Sequence, residues 1–127
     1  MNVIDKVFGV SPQALDIRSQ RFELLSANLA NADTPGYKAR DIAFGEALAR
    51  ATEGGPALAG RHPMHLDVGA ASEEVLYRVP VQSSLDGNTV ETDQEHAAFM
   101  DNAIRYQASL NFLNGRIQGL LKALRGE

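Results

Sequence analysis

The chain has 127 residues, of which 44% are apolar and 22% charged, with a formal net charge of −4 and no cysteine. That length holds one ordinary domain or a small domain with extended arms, the acidic balance argues against a nucleic-acid-binding face, and the missing thiols exclude a disulfide framework and thiolate chemistry. Aromatics are sparse, with no Trp, three Tyr and five Phe, and no apolar run approaches the roughly 18 residues that a membrane span needs.

The N-terminal arm, residues 1–36, opens on Met1 to Val10, which lacks the apolar core of a Sec-type signal peptide. A role outside the cytoplasm would therefore need another export route. A helix is expected over about 11–32. Ser11 offers an N-cap hydroxyl to the free amides of the first turn, and Pro12 falls where its missing N–H costs nothing. Leu15, Phe22, Leu25, Leu29 and Ala32 follow the three-to-four spacing of a packed face, interrupted by Arg18. Ala14, Ile17, Arg21 and Leu24 form a second stripe beside it. Thr34-Pro35-Gly36 ends the helix, because proline disfavours helical geometry before it and glycine permits a left-handed turn.

The middle region, residues 37–91, reads as loops and short strands. Ile42 to Ala51 can form a short helical turn, and Gly54-Gly55-Pro56 and Gly60 break the chain after it. Val75 to Val81 alternates like a strand, and Pro80 confines it to an edge or an irregular end. Asp86-Gly87-Asn88 signals a turn, from which Thr89-Val90-Glu91 is expected to fold back as a hairpin arm.

The C-terminal region, residues 92–127, is the most regular. Thr92 and Glu95 have capping-box spacing, and nothing breaks the helix from there to about Arg125. Its seam is Phe99, Ala103, Tyr106, Leu110, Leu113, Ile117, Leu120 and Leu124, every step three or four residues. Acids at its start (Asp93, Glu95, Asp101) and bases at its end (Arg116, Lys122, Arg125) suit the helix dipole. Each seam side chain is worth roughly 1.5–3 kcal/mol when buried, and one helix cannot bury its own seam. Pairing of the two terminal helices is the direct solution, yet a helix pair is thin. A second stripe, Gln107, Asn111, Asn114 and Gln118, carries amides that both donate and accept. Those amides form either a solvated flank or a surface that meets other subunits.

The run from Ala27 through Asn28, Asn31, Thr34, Pro35, Gly36 and Tyr37 to Lys38 resembles the signature of flagellar axial proteins of the rod and hook class. There a helix with two Asn residues runs into a Thr-Pro-Gly-Tyr turn. Arg18 to Arg21, Tyr37 to Ile42, Leu85 to Val90, Arg105 to Leu110 and Phe112 to Gly115 extend the likeness to the proximal rod subunits of that class, and Thr52 to Ala71 is its least typical part. The resemblance implies a structural subunit of the periplasmic rod of the basal body, which transmits torque. Its terminal helices would pack with copies of itself and with other rod proteins. The resemblance also implies export in an unfolded state by the flagellar type III apparatus, with ends that order on assembly. The implied neighbours are the basal-body adaptor protein FliE and the export gate. Phe44 and Leu48 match the Phe-x-x-x-apolar pattern of gate recognition, and equally form one apolar face of a short helix.

His62 and His65 flank a proline in an extended or turn segment, and His96 is far away in sequence, so no metal site is expected. No Gly-x-Ser-x-Gly elbow and no phosphate-cradling glycine loop occurs. No catalytic residue, cofactor or small-molecule substrate is implied. The expected fold is mainly α, with paired, coiled-coil-like terminal helices and a small irregular or β-hairpin middle. The competing reading is a generic coiled-coil adaptor or small helical dimer with no flagellar role.

Overall fold

A computed structural model describes residue 9, residues 11–53 and residues 75–126. Glycines 54, 55 and 60, together with His62 and His65, lie outside the described residues. Among the described residues, five elements follow in order: α1 (Ser11–Ala30), β1 (Arg40–Ile42), α2 (Phe44–Glu53), β2 (Val75–Tyr77) and α3 (Thr92–Arg125). The chain is mainly α, with long terminal helices around a small two-stranded antiparallel sheet.

The 34 residues of α3 make a rod of about 50 Å at 1.5 Å per residue. Helix α1 lies antiparallel along its first half. Phe22 meets Phe99 and Tyr106 edge to face, with ring centroids 5.0 and 5.7 Å away. Asn102 donates to the Arg18 carbonyl at 2.9 Å, and the Arg116 guanidinium reaches Gly9. Leu25 is sealed in this pair. On the other face of α1, Ile17 packs with Ile42 and Ala47, flanked by Leu24, Phe44 and Leu48. Helix α2 is therefore held by its apolar face.

Three expectations change. Helix α1 ends at Ala30 and not Ala32, because Asn31 and Ala32 close tightened turns back to Asn28 and Leu29. Thr92 and Glu95 form no capping box. Glu91 is the N-cap residue, without a side-chain cap bond, since the Glu95 carboxylate turns inward to tertiary partners. Thr89 to Glu91 does not pair with the strand at 75–81. Strand β2 pairs instead with β1, in the register Arg40↔Tyr77, Asp41↔Leu76, Ile42↔Val75, while Thr89 runs beside Tyr37 and Ala39.

Candidate functional site: a closed polar junction and an open helix face

Two turns meet where α1 ends. Gly36 (φ +72°) and Gly87 (φ +75°) both take left-handed geometry, which side chains adopt only with strain. The Gly36 N–H donates to the Asp86 carbonyl at 2.9 Å and the Thr89 N–H to the Tyr37 carbonyl at 3.0 Å. Lys38 Nζ donates to the Gly87 carbonyl at 2.8 Å. Asn88 is the clasp. Its amide nitrogen donates to the carbonyls of Asn31, Ala32 and Thr34 at 3.0, 2.8 and 2.9 Å, gathering three carbonyls of the turn that follows α1. Its Oδ1 accepts from Val90 N at 2.8 Å. Asp86 accepts from Ser84 Oγ and from the Asn88 N–H, and both contacts hold its carboxyl below the ordinary range.

The two asparagines of the signature divide the work. Asn31 Nδ2 donates to the Ala27 carbonyl at 2.8 Å, closing the helix end locally. Asn28, fully buried, donates to the Arg40 carbonyl at 2.8 Å and accepts from the Arg40 N–H at 3.0 Å. Its amide thus acts as a neighbouring strand would for β1. The same Nδ2 donates to Glu95 at 3.1 Å.

Glu95 is also fully buried. Arg78, just past β2, donates to it and to Asp41 at 2.7 Å. Arg21 completes the chain with two bonds to Asp41, at 2.8 and 3.0 Å. Burial pushes the Asp41 pKa up, but hydrogen bonds from Arg21, from the Ile42 N–H and from Arg78 outweigh it, so the carboxyl lies below its usual value. The bond to Asp41 holds Arg21 above its usual value against the effect of burial. This network ties α1, β1, β2 and α3 together. Sequence patterns single out none of Asn88, Arg78, Asp41 or Glu95 for it. The only hint is that charged and amide residues stand in the stretches shared with rod proteins.

The expected assembly residues separate into two groups. Leu25 and Asn28 are sealed inside. Leu15, Phe22, Leu29, Asn31, Tyr37, Phe99, Tyr106 and Leu113 are half-buried, and Thr34, Pro35 and Gly36 are exposed at the junction. The Tyr37 hydroxyl is sealed without a partner. Phe44 and Leu48 pack on the Ile17 cluster. Beyond the reach of α1, the seam opens. Leu110, Ile117 and Leu120 are more than a third exposed, Leu121 is 46% exposed and Leu124 is 84% exposed, with Phe112 exposed beside them. Gln107, Asn111, Asn114 and Gln118 are exposed as well, and Gln107 donates to Asn111 at 3.2 Å. Among the described residues no group of His, Cys, Asp or Glu is placed to hold a metal ion. No described helix is long and apolar enough to cross a membrane.

A helix pair closed by hydrogen bonds at one end and left greasy at the other defines a structural, assembly-forming protein. Residues 10–38, which span α1 and the Thr-Pro-Gly-Tyr turn, match the family described as flagella basal body rod protein. The flagellar basal body rod protein FlgB of Aeromonas hydrophila is 48% identical over 126 residues, covering 97% of this chain and 96% of its own. FlgB of Cereibacter sphaeroides is 53% identical over 121 residues, covering 94% of both chains. FlgB of Salmonella typhimurium is 43% identical over 132 residues, covering 97% and 96%. The chain belongs to the FlgB family of flagellar basal body rod proteins.

Three outcomes test the junction. Asn88→Ala removes three donations to the turn after α1 and should lower the urea-unfolding free energy by about 1–3 kcal/mol. Arg78→Met strands the Glu95 carboxylate and should cost about 3–5 kcal/mol, with much of that loss recovered in the Arg78→Met/Glu95→Gln double variant. Folding lowers the Asp41 pKa, so on acidification the unfolded chain takes up the proton first. The Asp41 contribution is complete above the unfolded value of about 3.9 and vanishes as pH falls through the lower folded value. Asp41→Asn should therefore be less stable than the parent at neutral pH, and the two stability–pH curves should converge at the acid end.

Proposed function

We propose that this chain is a torque-bearing subunit of the proximal rod, assembled through the open half of α3. Its family is that of structural basal body rod proteins. The observation that carries the reading is the exposure of Leu110, Ile117, Leu120, Leu121 and Leu124 along the far half of α3, beside half-buried Leu113. At roughly 25 cal/mol per Å² of apolar surface removed from water, a face of this kind favours packing against further helices. The exposed amide stripe beside it supplies donors and acceptors for the same contact. Copies of this chain and other rod subunits are the natural occupants, as are the adaptor protein FliE and the type III export gate at the base of the rod.

Export in an unfolded state agrees with the placement of Phe44 and Leu48. Both are packed in the folded chain, so a gate that reads them reads the chain before it folds. The rod then stands in the periplasm, where ordering of the open helix end is coupled to docking. A generic coiled-coil adaptor is not favoured, because rod-protein likeness runs across nearly the whole chain.

Leu124→Asp tests the assembly surface. The side chain is exposed in the single chain, so its replacement should leave unfolding free energy within about 0.5 kcal/mol of the parent. The variant should be exported yet fail to enter the rod, and soft-agar swimming should be lost. Normal swimming with intact rods would remove the proposed role of this face.

A further inference from the structure

Charge is segregated along the C-terminal part of the chain. Residues 79–104 hold no Lys or Arg, and residues 102–126 hold no Asp or Glu. A helix dipole favours acids in the first turn and bases in the last, which covers Asp93, Lys122 and Arg125. It does not reach Asp86, ahead of α3, or Arg105 and Arg116 in the body of the helix.

Each charged stretch also carries exposed apolar side chains. At the acidic end, Val79, Val81 and Leu85 stand almost wholly in solvent. Glu91, at the start of α3, accepts from the Val81 and Gln82 amides at 3.4 and 3.3 Å, which keeps this segment at that end of the helix. Leu85 is held out by a fastened turn. The Ser84 carbonyl accepts from the Gly87 N–H at 3.2 Å, the Asp86 carbonyl from the Gly36 N–H at 2.9 Å and the Gly87 carbonyl from Lys38 Nζ at 2.8 Å. An apolar side chain on a fixed turn costs little ordering entropy when a partner covers it. At the basic end, Leu120, Leu121 and Leu124 are exposed among Lys122 and Arg125. The two surfaces cannot meet within one chain. They lie at opposite ends of the unbroken α3, and Asp93 and Lys122 are about 44 Å apart at 1.5 Å per residue.

We propose that the basic end of α3 docks on the acidic, apolar surface around Leu85 of a second copy of this chain. The inference rests on the reading of the chain as a rod subunit, and deepens it by naming what the open end of α3 meets. Complementary charge selects the occupant, because both halves of the contact stand on this chain: Lys122 and Arg125 face Asp86 and Asp93, while Leu121 and Leu124 cover Leu85. Opposite potentials steer such an encounter and penalise pairing of like ends, so a two-fold dimer through either surface is opposed. The contact joins different surfaces on successive copies and is heterologous. Repeated, it builds a ring or an open helical stack, which is the symmetry a rod needs.

The test has two arms. The chain has no cysteine, so Leu85→Cys and Leu121→Cys in one chain supply the only thiols. Treated with a short bismaleimide in assembled rods, the double variant should give a ladder of dimers and larger species, and neither single variant should cross-link. No cross-link in the double variant, or dimers from either single one, overturns the proposal. The second arm reverses charge. Leu85→Lys/Asp93→Lys changes the acidic end and Lys122→Glu/Arg125→Glu the basic end. All four side chains are exposed, so the purified variants should melt as the parent does. Either reversed end alone should block rod assembly and swimming, and the chain carrying both should swim again, since each reversed end then meets a reversed end on the next copy. Normal rods with one end reversed, or no recovery with both, overturn the contact. Leu124→Asp separates the two claims: if it also assembles normally, the rod reading itself fails, whereas if it is blocked and the reversed ends assemble, only this contact fails.

Discussion

A carboxylate removed from water must have its hydration replaced by charges and donors, or the fold loses several kcal/mol. Glu95 is fully buried, and its replacements are Arg78 and Asn28. Neither stands alone. Arg78 is also bound to Asp41, Asp41 to Arg21, and Asn28 to both backbone groups of Arg40. Satisfying one side chain on α3 therefore requires α1, β1 and the chain after β2 to be in place together. Strand β2 shows the dependence most clearly. It has three residues, all exposed, and a sheet of two short strands is marginal in water. Its antiparallel pairing with β1 is supported at the end by Arg78, whose N–H also donates to the Ala39 carbonyl at 2.9 Å.

The same contacts fix how the two long helices slide against each other. An apolar seam with a step of three or four residues offers nearly equivalent packings one turn apart, about 5.4 Å along the axis. Polar groups that must be paired remove that freedom. A one-turn slip would separate Asn28 from Glu95 and Asn102 from the Arg18 carbonyl, leaving buried donors and acceptors unanswered. The exposed pairs Arg105–Asp101 and Arg50–Glu46 contribute little to this, since solvent screens them and each lies within one helix.

What the sequence makes legible follows from the range of the interaction. The seams of α1 and α3 repeat every turn, so Leu25, Phe22, Phe99 and Tyr106 stand out by spacing. The stops at Thr34-Pro35-Gly36 and Asp86-Gly87-Asn88 show themselves by backbone chemistry. The pairings that close the junction are not local. Glu95 has capping-box spacing to Thr92, and only the folded chain shows the carboxylate facing Arg78. Asn28 and Asn31 look alike in the sequence, but one closes the helix end and the other pairs with a strand. Arg18 breaks the apolar pattern on paper and is among the more buried side chains in space. The partner of β2 is hidden for the same reason: 33 positions separate the paired residues Ile42 and Val75, and a hairpin from the nearer Asp-Gly-Asn turn is the stronger local expectation.

Helix α3 thus carries two kinds of surface in series. Its first half is committed within the chain, through rings against Phe22 and hydrogen bonds that tolerate no slip. Its second half is apolar and amide-rich and, apart from half-buried Leu113 and the Arg116 guanidinium at Gly9, largely exposed. Hydrophobic attraction is non-directional, so an open greasy helix end would by itself accept neighbours at many angles. The closed end limits those choices, because it sets where along the pair the open face begins and which way it points. In the proposed rod, adhesion and geometry come from opposite ends of one helix. A shaft that transmits torque needs both, since adhesion without fixed register would let subunits turn against each other under load.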